Sequence, residues 1–71
     1  MKNITVILNG ESMRMPEGRI DYEDLVSLAG LRGNPSMTWH QRGGAGGILS
    51  PGRWVEVRAG MVFNVVHTGN A

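Results

Sequence analysis

Two stretches at opposite ends of the chain constrain its fold more than any other feature. Ile4-Thr5-Val6-Ile7-Leu8 puts Ile4, Val6 and Leu8 on one face and Thr5 and Ile7 on the other. Met61-Val62-Phe63-Asn64-Val65-Val66 does the same, with Met61, Phe63 and Val65 opposed to Val62, Asn64 and Val66. Successive side chains of a strand leave opposite faces, so this alternation, rich in β-branched residues, predicts a strand at each end. These are also the most apolar stretches of the sequence.

Between them the punctuation is dense. Asn9-Gly10 is a turn pair, and Ser12-Met13-Arg14-Met15-Pro16 alternates again with Met13 and Met15 on a shared face, which predicts a hairpin. Pro16, Glu17 and Gly18 end that strand. Asp21 stands where a helix N-cap belongs, with Glu23 and Asp24 at the positive end of the helix dipole. Ile20 and Leu25 have the spacing of a hydrophobic staple, and Tyr22, Leu25, Leu28 and Ala29 form one apolar stripe. Gly30 suits a left-handed closing residue, so the predicted helix spans about two turns. Ser36 to Arg42 alternates as a third strand whose buried face the pattern leaves open. The run Gly43-Gly44-Ala45-Gly46-Gly47 reads as too flexible for a regular element. A Pro51-Gly52 turn, a short strand at Trp54–Val57 and an Ala59-Gly60 turn complete the chain.

A 71-residue chain has room for one domain, and one that buries only about 60% of its unfolded surface. A hairpin alone is marginal in water, so the later strands are expected to join it under the helix. The expected fold class is therefore α+β: a ubiquitin-like β-grasp, a mixed sheet of four to five strands covered on one face by one helix. Its first and last strands would lie side by side in the sheet centre. The domain is expected over residues 1–66, with 67–71 as a flexible tail.

Charge and residue types exclude several functions. The net charge is +1 and the seven basic residues are dispersed, whereas a nucleic-acid binder normally shows a denser basic stripe. No apolar run approaches the roughly 20 residues of a membrane helix. There is no cysteine, hence no disulfide, thiolate ligand or thiol nucleophile, and the start MKNITV has no signal-peptide segment. A cytoplasmic location is expected. His40 and His67 are the only histidines and lack metal-ligand spacing, the serines lack an accompanying base, and the glycine run lacks the Lys-Ser/Thr ending of a phosphate loop. No catalytic residue, metal or cofactor of the chain's own is expected.

ITVILNG at the start, the EGRIDYEDLVSLAG block and the closing SPGRWVEVRAGMVFNVVHTGNA together resemble the multiubiquitin-domain family of bacterial ubiquitin-like proteins. The resemblance covers nearly the whole chain. It implies a protein modifier whose tail carboxyl is activated by an adenylating enzyme, which uses ATP and magnesium, and is passed by a conjugating-type enzyme to a target protein or small molecule. The sequence departs from ubiquitin itself in ending Gly69-Asn70-Ala71 without a terminal Gly-Gly. Two routes follow: activation of the Ala71 carboxyl, or trimming after Gly69. Residues 67–71, if extended, reach roughly 17 Å, enough to enter a narrow channel.

By analogy with ubiquitin, the open sheet face would recognise partners, through Ile7, Val62 and Val66 with Trp39 or Gln41 as further candidates, and His67 and Thr68 are contacts expected at the start of the tail. Lys2, the only lysine, is the candidate acceptor if chains form on side-chain amines. Trp39 and Trp54 would each dominate a core or an interface, and one of them is expected to remain exposed. Two rival functions stand beside the modifier: a non-covalent interaction module with an inert tail, and a sulfur carrier, against which the missing Gly-Gly counts.

Overall fold

The structure is a computed structural model that describes residues 2–66. In chain order it contains β1 (Asn3–Leu8), β2 (Glu11–Pro16), β3 (Gly18–Asp21), α1 (Tyr22–Ala29), β4 (Ser36–His40), β5 (Gly46–Leu49), β6 (Trp54–Val57) and β7 (Val62–Val66). Five strands form one mixed sheet in the order β2-β1-β7-β4-β5, and β3 pairs with β6 in a separate two-stranded sheet.

Local chemistry accounts for much of this. Asn9 and Gly10 both take positive φ, 52° and 83°, the twist that lets a two-residue turn join β1 to β2 with Leu8 opposite Glu11. The Asn9 side chain also accepts a hydrogen bond from the Val65 amide at 2.8 Å, tying the turn to β7. β1 and β7 run parallel, through Gly60 N–H to Thr5 O, Ile7 N–H to Met61 O and Asn9 N–H to Phe63 O, each 2.9 Å. Both central strands thereby satisfy backbone groups on two edges, which their apolar side chains make necessary, because water is kept from them.

α1 ends at Gly30 in the left-handed conformation (φ 69°), whose N–H donates to Ser27 O while that of Leu31 donates to Val26 O. This is a Schellman closure, with Val26 and Leu31 both packed on the core. At the other end Asp21 has the extended backbone of an N-cap but makes no capping hydrogen bond, and its carboxylate lies 3.6 Å from Arg19 Nε instead. The sequence placed the cap correctly and misassigned its side chain.

The expected fold class, a ubiquitin-like β-grasp with one helix covering a face of the sheet, is overturned. About half of the described residues are in strands, and the single helix has eight residues, roughly 12 Å of length. Only Tyr22 and Leu25 of that helix are buried, and Leu28, expected on its apolar stripe, is 50% exposed. The cover over the five-stranded sheet is shared with the two-stranded sheet, which contributes buried Ile20, Val55 and Val57. Against them pack Ile4, Val6, Met15, Met37, Leu49, Met61 and Phe63 from the large sheet and the turn before β7. β3 was hidden because Gly18-Arg19-Ile20-Asp21 has a turn-like composition, and its partner Trp54-Val55-Glu56-Val57 lies far along the chain. For the same reason β6 does not join the main sheet as expected.

The glycine run is also corrected. Gly43 and Gly44 form a tight turn with positive φ, but Gly46 and Gly47 are strand residues paired with His40 and Trp39. A Cβ at Gly47 would sit 3.1–3.2 Å from the Trp39 indole, and one at Gly46 3.0 Å from the His40 ring. These glycines are there because cross-strand rings lie over them, not because the backbone needs freedom.

Candidate functional site

The core takes one face of the five-stranded sheet and leaves the other open. The register puts Ile7 of β1 beside Val62 of β7 and Val62 beside His40 of β4. The next row along β7 carries Asn64 and Thr38, with Ile48 of β5 beyond Thr38. Val66 is opposite Ser36, four residues past Val62 and so about 13 Å along the strand. Ile7 and Val62 are half-buried by their neighbours, Val66 is 41% exposed and Ile48 is 70% exposed. The result is an apolar strip, Ile7-Val62, in the middle of the face, with polar Asn64, Thr38 and His40 around it and two outlying apolar side chains.

The fold thus brings two of the sequence-derived contacts, Ile7 and Val62, side by side and places Val66 further along the same strand. His67, Thr68, Gly69, Asn70 and Ala71 lie outside the described residues. Lys2 is exposed, and its carbonyl accepts from the Glu17 amide at 2.9 Å. Because β1 and β7 are parallel, Lys2, ahead of β1, and Val66, the end of β7, are at opposite ends of the sheet, roughly 30 Å apart. His40 and Ile48 were missed as members of the open face. Period-two alternation grouped His40 with Thr38 and Arg42 but could not say that Trp39, lodged against the core over Gly47, would turn the His40 face outward.

The tryptophan question resolves in favour of Trp54. It is 52% exposed at the edge of the small sheet, with the Arg19 guanidinium 4.7 Å from its ring centroid. Arg19 in turn meets Asp21, so a stacked cation covers part of this ring and leaves about half of the side chain exposed. On the covered side of the molecule, a groove of about 470 Å³ runs between the β2–β3 corner and α1, lined by Pro16, Arg19, Ile20, Asp24 and Leu28 among others.

Tyr22 has a displaced pKa. Burial, reinforced by the nearby Glu23 carboxylate, raises its hydroxyl above the ordinary value of 10.0. The hydroxyl donates to Pro35 O, which pins the segment between α1 and β4. Its role is architectural. Among the described residues no group of three or more His, Asp or Glu is placed to hold a metal, and no buried side-chain polar atom lacks a hydrogen-bond partner. No helix there is long and apolar enough to cross a membrane. Compared with known proteins, the chain matches no family model, no curated protein and no solved structure.

Proposed function

We propose that this protein is a modifier in a bacterial ubiquitination-like pathway of the cytoplasm, recognised through its open sheet face and activated at a carboxyl in the segment that follows β7. The observation that supports the reading is that the Ile7-Val62 strip lies partly on β7, the strand that runs directly into residues 67–71. The residues that would carry the carboxyl follow β7 directly in the sequence. The sequence resemblance points the same way.

The chemistry belongs to the partners. A carboxylate resists attack by an amine because oxide is a poor leaving group, so its oxygen first displaces pyrophosphate from ATP to give an acyl adenylate. An enzyme nucleophile then takes the acyl group with release of AMP, and a target amine or hydroxyl takes it in turn. This chain's contribution is a docking face and a carboxyl.

A second reading, a non-covalent interaction module, is favoured by the exposed Val66 and Ile48 at the margins of the strip, which enlarge the face beyond what a terminal grip alone requires. One experiment separates the two. The chain is incubated with its cognate adenylating enzyme and ATP, and pyrophosphate exchange and acyl-enzyme adduct are measured for the intact chain, for one lacking residues 69–71 and for Val62→Glu. The modifier reading expects truncation to abolish the adduct and Val62→Glu to raise KM at least about tenfold. Equal reaction of the truncated chain sinks it. Capture of the same partner that survives truncation but not Val62→Glu establishes the module instead.

A further inference from the structure

Charge is sorted between the two sides of this molecule. The six acidic side chains all lie on the covered side or at its rim. Asp21 meets Arg19, Glu56 meets Arg58, and Glu23 accepts from the Gly52 amide. Glu17 and Asp24 line the groove beside α1, and Glu11, opposite Leu8, alternates with Met13 and Met15 on the core-facing side of β2. The open face of the five-stranded sheet carries no carboxylate. Dispersal of the basic residues along the chain therefore hides a face of one sign.

The register says which cations stand there. Arg14 of β2 is opposite Thr5 of β1, which shares the open face with Ile7. Gly60 N–H donates to Thr5 O, and continuing the β4–β7 register past His40 and Val62 by two residues sets Arg42 level with Gly60. The Arg42 side chain does lie there, its Cδ 3.6 Å from where a Cβ on Gly60 would be. One row across the sheet is therefore Arg14, Thr5, Gly60, Arg42, and the next is Ser12, Ile7, Val62, His40. Three strand spacings, roughly 14 Å, separate the two arginine backbones, and the Arg42 side chain leans inward over that gap. Both arginines are exposed, and neither takes part in the two ion pairs of the described residues.

This pattern selects among occupants. A second copy set face to face would oppose arginine to arginine. Nucleic acid calls for more cations and for aromatic rings on which bases stack, whereas the centre of this face is aliphatic. An added strand finds no backbone partner on it, because β1 and β7 are paired along both edges. The fitting partner satisfies its own backbone and brings carboxylates to the arginines and aliphatic carbon to Ile7 and Val62. An α-helix does so, since its residues i and i+7 lie on one face about 10.5 Å apart with i+3 and i+4 between them.

We propose that the open face binds an acidic amphipathic helix of a partner protein, with aliphatic side chains at i+3 and i+4 seated on Ile7 and Val62, and glutamates at i and i+7 against Arg14 and Arg42. The inference rests on the open face being the docking surface, which both readings above share, and not on residues 67–71 or on any activation step.

The probe is a synthetic helical peptide carrying Glu-Ala-Gln-Leu-Leu-Gln-Ala-Glu in an alanine-rich host, against a control with lysine at both glutamate positions, titrated into the full chain and followed by NMR. Expected are saturable shifts centred on Ile7 and Val62 and at least about tenfold weaker binding of the lysine peptide. The double variant Arg14→Glu, Arg42→Glu changes only exposed positions and should reverse that preference; if it fails to fold, the two peptides on the unaltered chain decide. The proposal is overturned by the absence of saturable binding, by equal binding of the two peptides, by shifts centred on Leu28 in the groove instead, or by shifts that follow chain concentration without peptide. It is equally overturned if oligothymidylate or phosphatidylserine vesicles shift Ile7 and Val62 as strongly as the glutamate peptide does. None of these measurements involves the adenylating enzyme, so their failure leaves the tail-truncation test standing, and a truncated chain that still forms the adduct sinks the modifier reading without touching this one.

Discussion

Tyr22→Phe tests the packing of this domain with unusual clarity, because the chain has a single tyrosine and a single lysine. The substitution keeps the buried ring and removes the hydroxyl that donates to Pro35 O. Losing a hydrogen bond that leaves a partly buried carbonyl unpaired costs about 1–2 kcal/mol. In a domain of this size, where 1 kcal/mol moves Tm by roughly 4–8 °C, a drop of about 5–15 °C is expected. The pH dependence is the sharper part. The hydroxyl is held above its ordinary 10.0 by burial, so at alkaline pH the unfolded chain loses this proton before the folded one does. Stability is then constant up to about pH 10 and falls as pH rises further, by up to about 1.4 kcal/mol per pH unit until the folded hydroxyl itself ionises. Tyr22→Phe should be less stable at pH 7 and lose that alkaline fall. Urea melts of both proteins across neutral and alkaline pH, with tyrosinate absorbance as the direct readout, decide it. Parallel pH profiles for the two proteins would refute the burial argument, since Lys2 and the α-amino group are common to both.

Three further outcomes follow from the packing. Leu25→Ala empties a fully buried site where the short helix meets the core and should cost about 2–5 kcal/mol in urea, enough to unfold much of so small a domain. Gly47→Val puts branched carbon into the Trp39 indole, which a Cβ alone already approaches to 3.1–3.2 Å, so the midpoint should fall by about 1–3 kcal/mol despite valine's preference for strands, with a change in tryptophan fluorescence. Arg19→Ala uncovers Trp54 and should cost only roughly 0.5–1 kcal/mol while shifting tryptophan emission toward that of a hydrated ring; an unchanged spectrum would show that the stacked cation does not shield it.

Elements whose signal is local were legible in the residues alone. The Asn9-Gly10 turn, the paired alternation of β1 and β2, the two-turn helix closed at Gly30 and the strand character of β4, β6 and β7 each depend on a few neighbouring side chains and backbone angles. So did the facial grouping of Val62, Asn64 and Val66, which made part of the open face readable in advance. The fold class was not, because it turns on which strands find each other. Gly18–Asp21 becomes a strand only by meeting Trp54–Val57, and Gly46-Gly47 becomes one only because Trp39 and His40 lie over it. Period-two alternation determines which residues share a face, but the choice of face belongs to packing. Burying Trp39 turned His40 outward, and giving the core cover to two sheets and a short helix left Leu28 exposed. Long-range pairing carries no local sequence mark, so the sequence determined the elements with local signals, while tertiary contact decided β3, β5, every strand partner and which face of the large sheet stays uncovered.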